Sequence, residues 1–242
     1  MSTNNENYAL LEEKQSNCEE DKSLLIKGAF EGLATFFFVT SIYFSQGNIE
    51  IFIFGMWVTL CCFGPISGAH VNPSITLGFY IYEGKWISGL KKFFVYFFFQ
   101  LIGCLLSAVV ARNIAGIPNI HVVVPDTGLK VYFSEFFFTG TFFFFIAFAV
   151  DAKIKIVEEG AIQCGIIVAW FYLIVKSGAN LSGAAFNPAV LFVLNLLAYL
   201  DPNIKDYNDL AFVPKMMICE FLGTAFFALI FKYIVIPFYQ DK

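Results

Sequence analysis

The stretch Ser67-Gly68-Ala69-His70-Val71-Asn72-Pro73-Ser74 recurs in altered form as Leu181-Ser182-Gly183-Ala184-Ala185-Phe186-Asn187-Pro188-Ala189. Both copies contain Ser-Gly-Ala and end in Asn-Pro followed by a small residue, and each sits in an apolar half of the chain. Proline suits the first turn of a helix, where its missing N–H is not needed. An asparagine just before it can cap that helix with its side-chain oxygen and still present its amide. Each motif therefore predicts a helix that starts inside apolar surroundings, which packing alone does not explain.

The flanking runs tell what those surroundings are. Residues 24–43, 93–110, 131–150 and 212–236 are apolar runs near the ~20 residues that cross a bilayer, with 49–63 and 161–175 somewhat shorter. After each Asn-Pro motif comes a stretch too short to cross alone, 75–82 and 190–197. The order is span, span, half-span, span, performed twice, with 112–130 (holding Pro118, Pro125, Asp126 and Gly128) as the long connection and 201–209 as a polar linker. Composition agrees: 58% of residues are hydrophobic and 14% charged, with mean hydropathy +0.71 and 32 Phe, against about 25% charged in soluble domains. The fold class expected is an all-α membrane protein with six transmembrane helices and two re-entrant half-helices.

Three crossings separate the two motifs, so the second enters from the face opposite the first. This is an inverted repeat, whose broken helices meet near the midplane. Glu31-Gly32-Leu33-Ala34-Thr35 echoes Glu135-Phe136-Phe137-Phe138-Thr139, and Glu220-Phe221-Leu222-Gly223-Thr224 is a third, looser copy. The halves divide at about 26–117 and 118–236. Irregular backbone at that depth is tolerated only where it is buried or lines water. Two half-helices whose positive ends converge then leave a narrow path with Asn72 and Asn187 as central donors and a field that repels cations.

The ends of the chain read as tails. Residues 1–25 are polar and acidic, unlike a cleavable signal with a basic start and apolar core, and are expected to be a disordered cytosolic tail; 237–242 would be a second one. Basic residues set the orientation. With the N-terminus inside, Lys14, Lys22, Lys27, Lys85, Lys91, Lys92, Lys153, Lys155, Lys232 and Lys242 are cytoplasmic. Arg112, Lys130, Lys176, Lys205 and Lys215 are outside. Both termini are expected in the cytoplasm, in a plasma or internal vacuolar membrane.

Ser-Gly-Ala-His-Val-Asn-Pro-Ser with the following Ile75-Thr76-Leu77-Gly78, together with Phe186-Asn187-Pro188-Ala189, resembles the major intrinsic protein family of aquaporins and glycerol facilitators. The resemblance covers roughly residues 26–236 and rests on the paired motifs, since either alone is a weak signal. It implies a homotetramer with one pore per subunit, no cofactor, and passage of water and small uncharged solutes such as glycerol, urea or ammonia. It also implies that Glu31 and Glu135 hold the re-entrant loops. Asn72, Pro73, Ser74, Asn187, Pro188 and Ala189 become the pore motifs, with Ser74 standing where alanine is usual.

The outer filter departs from the family. The residue after the second motif is usually arginine there and is Val190 here. Ala184, Val175 and either Phe52 or Phe54 occupy the other positions. Such a filter is apolar and lacks the guanidinium that donates to solutes and excludes cations. Leu191 stands where glycerol facilitators commonly carry aspartate, which weakens a strict glycerol assignment.

Several residues admit blander roles. Lys176 beside Val175 is a stand-in for the arginine or a lysine snorkelling to the interface. His70 is a pH gate or a loop support. Glu31 and Glu135 are loop supports or a proton relay of an ion-coupled transporter, and Glu220 faces its own helix end or a neighbour. Asn180 heads a formal glycosylation sequon beside the re-entrant loop. Gly103, Ser107, Ala108 and Ala111 read as close helix contacts. Cys18, Cys61, Cys62, Cys104, Cys164 and Cys219 show no metal spacing. Neither enzyme chemistry nor nucleic-acid binding has a motif, and a structural or junctional membrane protein with little transport remains the rival outside the transport class.

Overall fold

The computed structural model describes residues 2–118, 120, 128–154, 156–204 and 210–240. The first repeat comprises α1 (Ser2–Ser45), α2 (Ile49–Ser67), α3 (Pro73–Glu83) and α4 (Ser88–Asn113). The second comprises α5 (Leu129–Val150), α6 (Gly160–Ser182), α7 (Pro188–Tyr199) and α8 (Phe212–Ile230). The last of these runs through a π-helical turn, Phe231–Val235, into α9 (Ile236–Gln240). Among the described residues, six helices are long and apolar enough to cross a membrane: Glu19–Ser45, Ile49–Ser67, Gly89–Asn113, Leu129–Val150, Gly160–Ser182 and Phe212–Gln240. At 11 and 12 residues, α3 and α7 extend ~17 Å at 1.5 Å per residue, about half the hydrocarbon core.

The two repeats pack by the same plan. α1 lies along α4 and against α2, as α5 lies along α8 and against α6, and each half-helix crosses to the other repeat: α3 packs on α8 and α7 on α4. The close lines need glycine. A Cβ at Gly103 would stand 2.2 Å from the Gly32 carbonyl, and one at Gly223 would stand 1.9 Å from the Phe136 carbonyl. Gly32 and Phe136 each follow the repeat's glutamate, so the contacts are symmetry mates. Ala108 and Ala111 are buried, and Ser107 meets Thr40 at 3.0 Å, as expected of small residues on that face.

Helix α1 begins at Ser2, so the backbone of the N-terminal segment continues that of the first span. The reason is local. Leu10, Leu11, Glu12, Glu13 and Lys14 are good helix formers, and no glycine or proline occurs before Gly28. Polar composition removes a packing face without removing helix propensity. Residues 237–240 are likewise helical, within α9. The part of the long connection that holds Pro125 and Asp126, the linker at 205–209, and Lys155, Lys205 and Lys242 lie outside the described residues.

Candidate functional site

Both half-helices start as the motifs predict. Asn72 and Asn187 adopt extended backbone at the N-cap, with proline next. The Asn72 Oδ1 accepts from the Ser74 N–H at 2.8 Å, and the Asn187 Oδ1 from Ala189 at 3.1 Å and Val190 at 3.4 Å. These bonds satisfy donors that helix starts otherwise leave orphaned. Each Asn amide also reaches across the repeat boundary. Nδ2 of Asn72 donates to the Phe186 carbonyl at 2.7 Å, and Nδ2 of Asn187 to the Val71 carbonyl at 2.8 Å. The two loops are thus laced at the residue before each asparagine. Each amide has two hydrogens, so one remains for a molecule in the lumen, and both asparagines line a cavity.

The backbone that delivers these residues is strained. α2 and α6 end in left-handed glycines, Gly68 at φ 100° and Gly183 at φ 84°. Ala69, Val71, Ala184 and Phe186 also have positive φ, four of the five non-glycine residues that do among the described residues. A β-branched valine there is a real outlier, and such residues cost about 1–3 kcal/mol each. They persist because buried carboxylates hold two consecutive N–H groups in each loop, His70 and Val71 in the first and Ala185 and Phe186 in the second.

Glu31 accepts four hydrogen bonds. Ser67 Oγ and the His70 N–H donate to one oxygen at 2.9 Å, and the Val71 N–H and Gln100 Nε2 to the other at 3.0 Å. Glu135 accepts from the Ala185 N–H at 3.3 Å and the Phe186 N–H at 2.9 Å, with Ser182 alongside. Both carboxylates thus accept from N–H groups of the loop that precedes a half-helix. The His70 ring contacts Thr76 Oγ1 at 3.2 Å and stacks on Phe79, 4.8 Å between centroids.

Two cavities flank the loops: Ala69 and His70 line one, and Val71, Asn72 and Asn187 line the other. One, of about 690 Å³, opens toward the face that carries the chain ends and is lined by Leu60, Cys61, His70, Phe79, Lys92 and Cys164, among others. The other, of about 430 Å³, opens on the opposite face. Met56 lines both. Phe52, Val175, Ala184 and Val190 all line the second cavity. Phe54 does not: it is 62% exposed on the outside of α2, against Trp57. Two residues advance a helix by about 200°, so only one of Phe52 and Phe54 can face inward. Lys176 is also absent from the lining. Its Nζ pairs with Glu50 at 3.1 Å and lies over the Tyr172 ring, the arrangement of a lysine reaching the interface.

Three residues of the site escaped the sequence reading. Gln100 bonds both Glu31 and Thr76, the Tyr96 hydroxyl donates to the Ser67 carbonyl at 2.6 Å, and Met56 stands between the cavities. A lone amide in Phe97-Phe98-Phe99-Gln100-Leu101 was the available signal. Among the described residues no group of three metal-ligating side chains is placed to hold an ion.

Comparison with known proteins agrees with this geometry. The model of the major intrinsic protein family matches residues 32–201. The chain is 28% identical over 145 residues to aquaporin TIP1-1 of Arabidopsis thaliana, covering 57% of this chain and 55% of that protein. It is 27% identical over 194 residues to aquaporin AqpM of Methanothermobacter marburgensis, covering 76% and 74%. The chain thus spans about half the length of the plant relative and three quarters of the other. Its fold matches the X-ray structure of the aquaglyceroporin from Plasmodium falciparum with a TM-score of 0.74 at 19% identity, over 91% of this chain and 99% of that one. Motifs, inverted repeat and family match converge: this multi-pass membrane protein belongs to the major intrinsic protein family.

Proposed function

We propose that the protein is a passive channel for water and small uncharged solutes. The observation that carries the reading is the lacing of Asn72 and Asn187 to the opposite loops' carbonyls, with both asparagines lining one cavity and Ala69 and His70 of the first loop lining another. Water crossing there exchanges bulk hydrogen bonds for the free amide hydrogens, while two converging helix N-termini oppose a cation. The aquaporin names of the curated relatives support water as cargo.

Phe52, Val175, Ala184 and Val190 form the outer filter in this reading. With no guanidinium and no aspartate, it selects by size and polarity of the cavity wall, so glycerol, urea and ammonia pass with water. The functional unit is a homotetramer with one pore per subunit, oriented with both termini in the cytoplasm of a plasma or vacuolar membrane. Engagement of Glu31 and Glu135 by loop N–H groups supports a channel over an ion-coupled transporter that uses them as a relay.

Stopped-flow light scattering on proteoliposomes tests the proposal. Water permeability well above that of empty vesicles, with faster glycerol and urea equilibration, is expected. Rates equal to those of empty vesicles for water and every solute would overturn it.

A further inference from the structure

The repeat symmetry exposes one residue that the pore reading leaves without a job. Gln100 stands three residues before Gly103, and Glu220 three before Gly223. Those two glycines make equivalent contacts, with the carbonyl of the residue after Glu31 and of the residue after Glu135 respectively. Glu220 is therefore the second repeat's counterpart of Gln100. In the first repeat, the Gln100 amide donates to the Glu31 carboxyl at 3.0 Å and to Thr76 at 3.2 Å. In the second, the Thr76 position (four beyond the motif asparagine) is Leu191, which offers nothing polar.

Glu220 is fully buried, and among the described residues neither of its oxygens has a hydrogen-bond donor. Its polar neighbours are the Glu135 carboxyl and the Asn187 backbone. Two neighbouring buried carboxylates, with no ion pair to either among the described residues, repel each other and each forfeits hydration. One proton removes both penalties and creates the missing donor.

We propose that Glu135 and Glu220 form a buried proton-binding site that holds one proton between them, so that a carboxyl O–H does in the second repeat what the Gln100 amide does in the first. The proton belongs to the pair. It completes the clamp on the Ala185 and Phe186 N–H groups and so positions Asn187. This role is independent of what the pore carries.

The test is infrared spectroscopy of the full chain in proteoliposomes at neutral pH, paired with thermal unfolding. The wild type should show the C=O band of a protonated carboxyl, and Glu220→Gln should abolish it. The same variant should unfold at the wild-type temperature, because an amide replaces the acid as Gln100 does. Glu220→Leu, which supplies no donor, should unfold at a lower temperature. The absence of the band in the wild type, or its survival in Glu220→Gln, would overturn the proposal. So would a Glu220→Gln protein as unstable as Glu220→Leu, or one that fails to fold. Permeability is not read in this experiment, so its failure is distinct from failure of the channel reading.

Discussion

Replacing each loop-holding glutamate by glutamine should hurt the two repeats unequally. Glutamine keeps the shape but exchanges one acceptor oxygen for two donors. At Glu31 all four partners are donors, at 2.9–3.0 Å. In either amide orientation, two of them then face an NH2 group. Ser67 can turn its hydroxyl, but the His70 and Val71 N–H groups are fixed by the loop, and Gln100 turns its amide only by giving up its bond to Thr76. A buried donor left unpaired costs about 1–3 kcal/mol, so Glu31→Gln should destabilise by about 2–4 kcal/mol and relax the strained Ala69 and Val71. At Glu135 the stronger loop bond is that of the Phe186 N–H, at 2.9 Å against 3.3 Å for Ala185. A glutamine there can keep that bond and turn its NH2 toward the Glu220 carboxyl, limiting the loss to about 1 kcal/mol. Unfolding in detergent gives the stabilities, and stopped-flow permeability shows whether the loop still forms a path. Equal losses in the two variants, or a larger loss at Glu135, would refute the count of donors on which the prediction rests.

Val190→Arg places a guanidinium in the 430 Å³ cavity beside Phe52 and Ala184. Glycerol and urea rates should fall about tenfold, or ~1.4 kcal/mol of barrier, with water passage retained; unchanged solute rates would remove Val190 from the filter. Gly223→Ala drives a Cβ into the Phe136 carbonyl and should cost about 1–3 kcal/mol or more. Gly165→Ala, in open space, should leave the unfolding temperature alone. Outside the spans, the Asn203 N–H and then Arg112 hold the Asp201 carboxyl below its usual range. A depressed carboxyl stabilises the fold above its unfolded value of about 3.9, and that stability is lost as pH falls through the folded value. Acid unfolding of Arg112→Gln should accordingly begin at a higher pH than in the wild type, by only part of the shift, because Asn203 is the larger cause.

What was legible in the sequence was what local chemistry decides. Asn-Pro at a helix start, a glycine closing the helix before it, and apolar runs of bilayer length need no tertiary partner to be read. The choice between Phe52 and Phe54 was not legible, because both lie on one apolar helix and only the position of α6 and the re-entrant loops tells which side faces the lumen. Gln100 and Glu220 are the most instructive pair. Each is a single polar residue in an apolar run, and alone each reads as incidental. Once Gly103 and Gly223 are seen to touch equivalent carbonyls, the two become one position occupied differently. The first repeat then fills it with an amide that donates unconditionally, and beside it His70 and Thr76 add further polar contacts. The second fills it with an acid that can donate only while protonated, beside Leu191 and Ala185. The same inverted plan therefore holds its two loops by different means, and the half that carries the atypical Val190 is the one whose clamp depends on a proton.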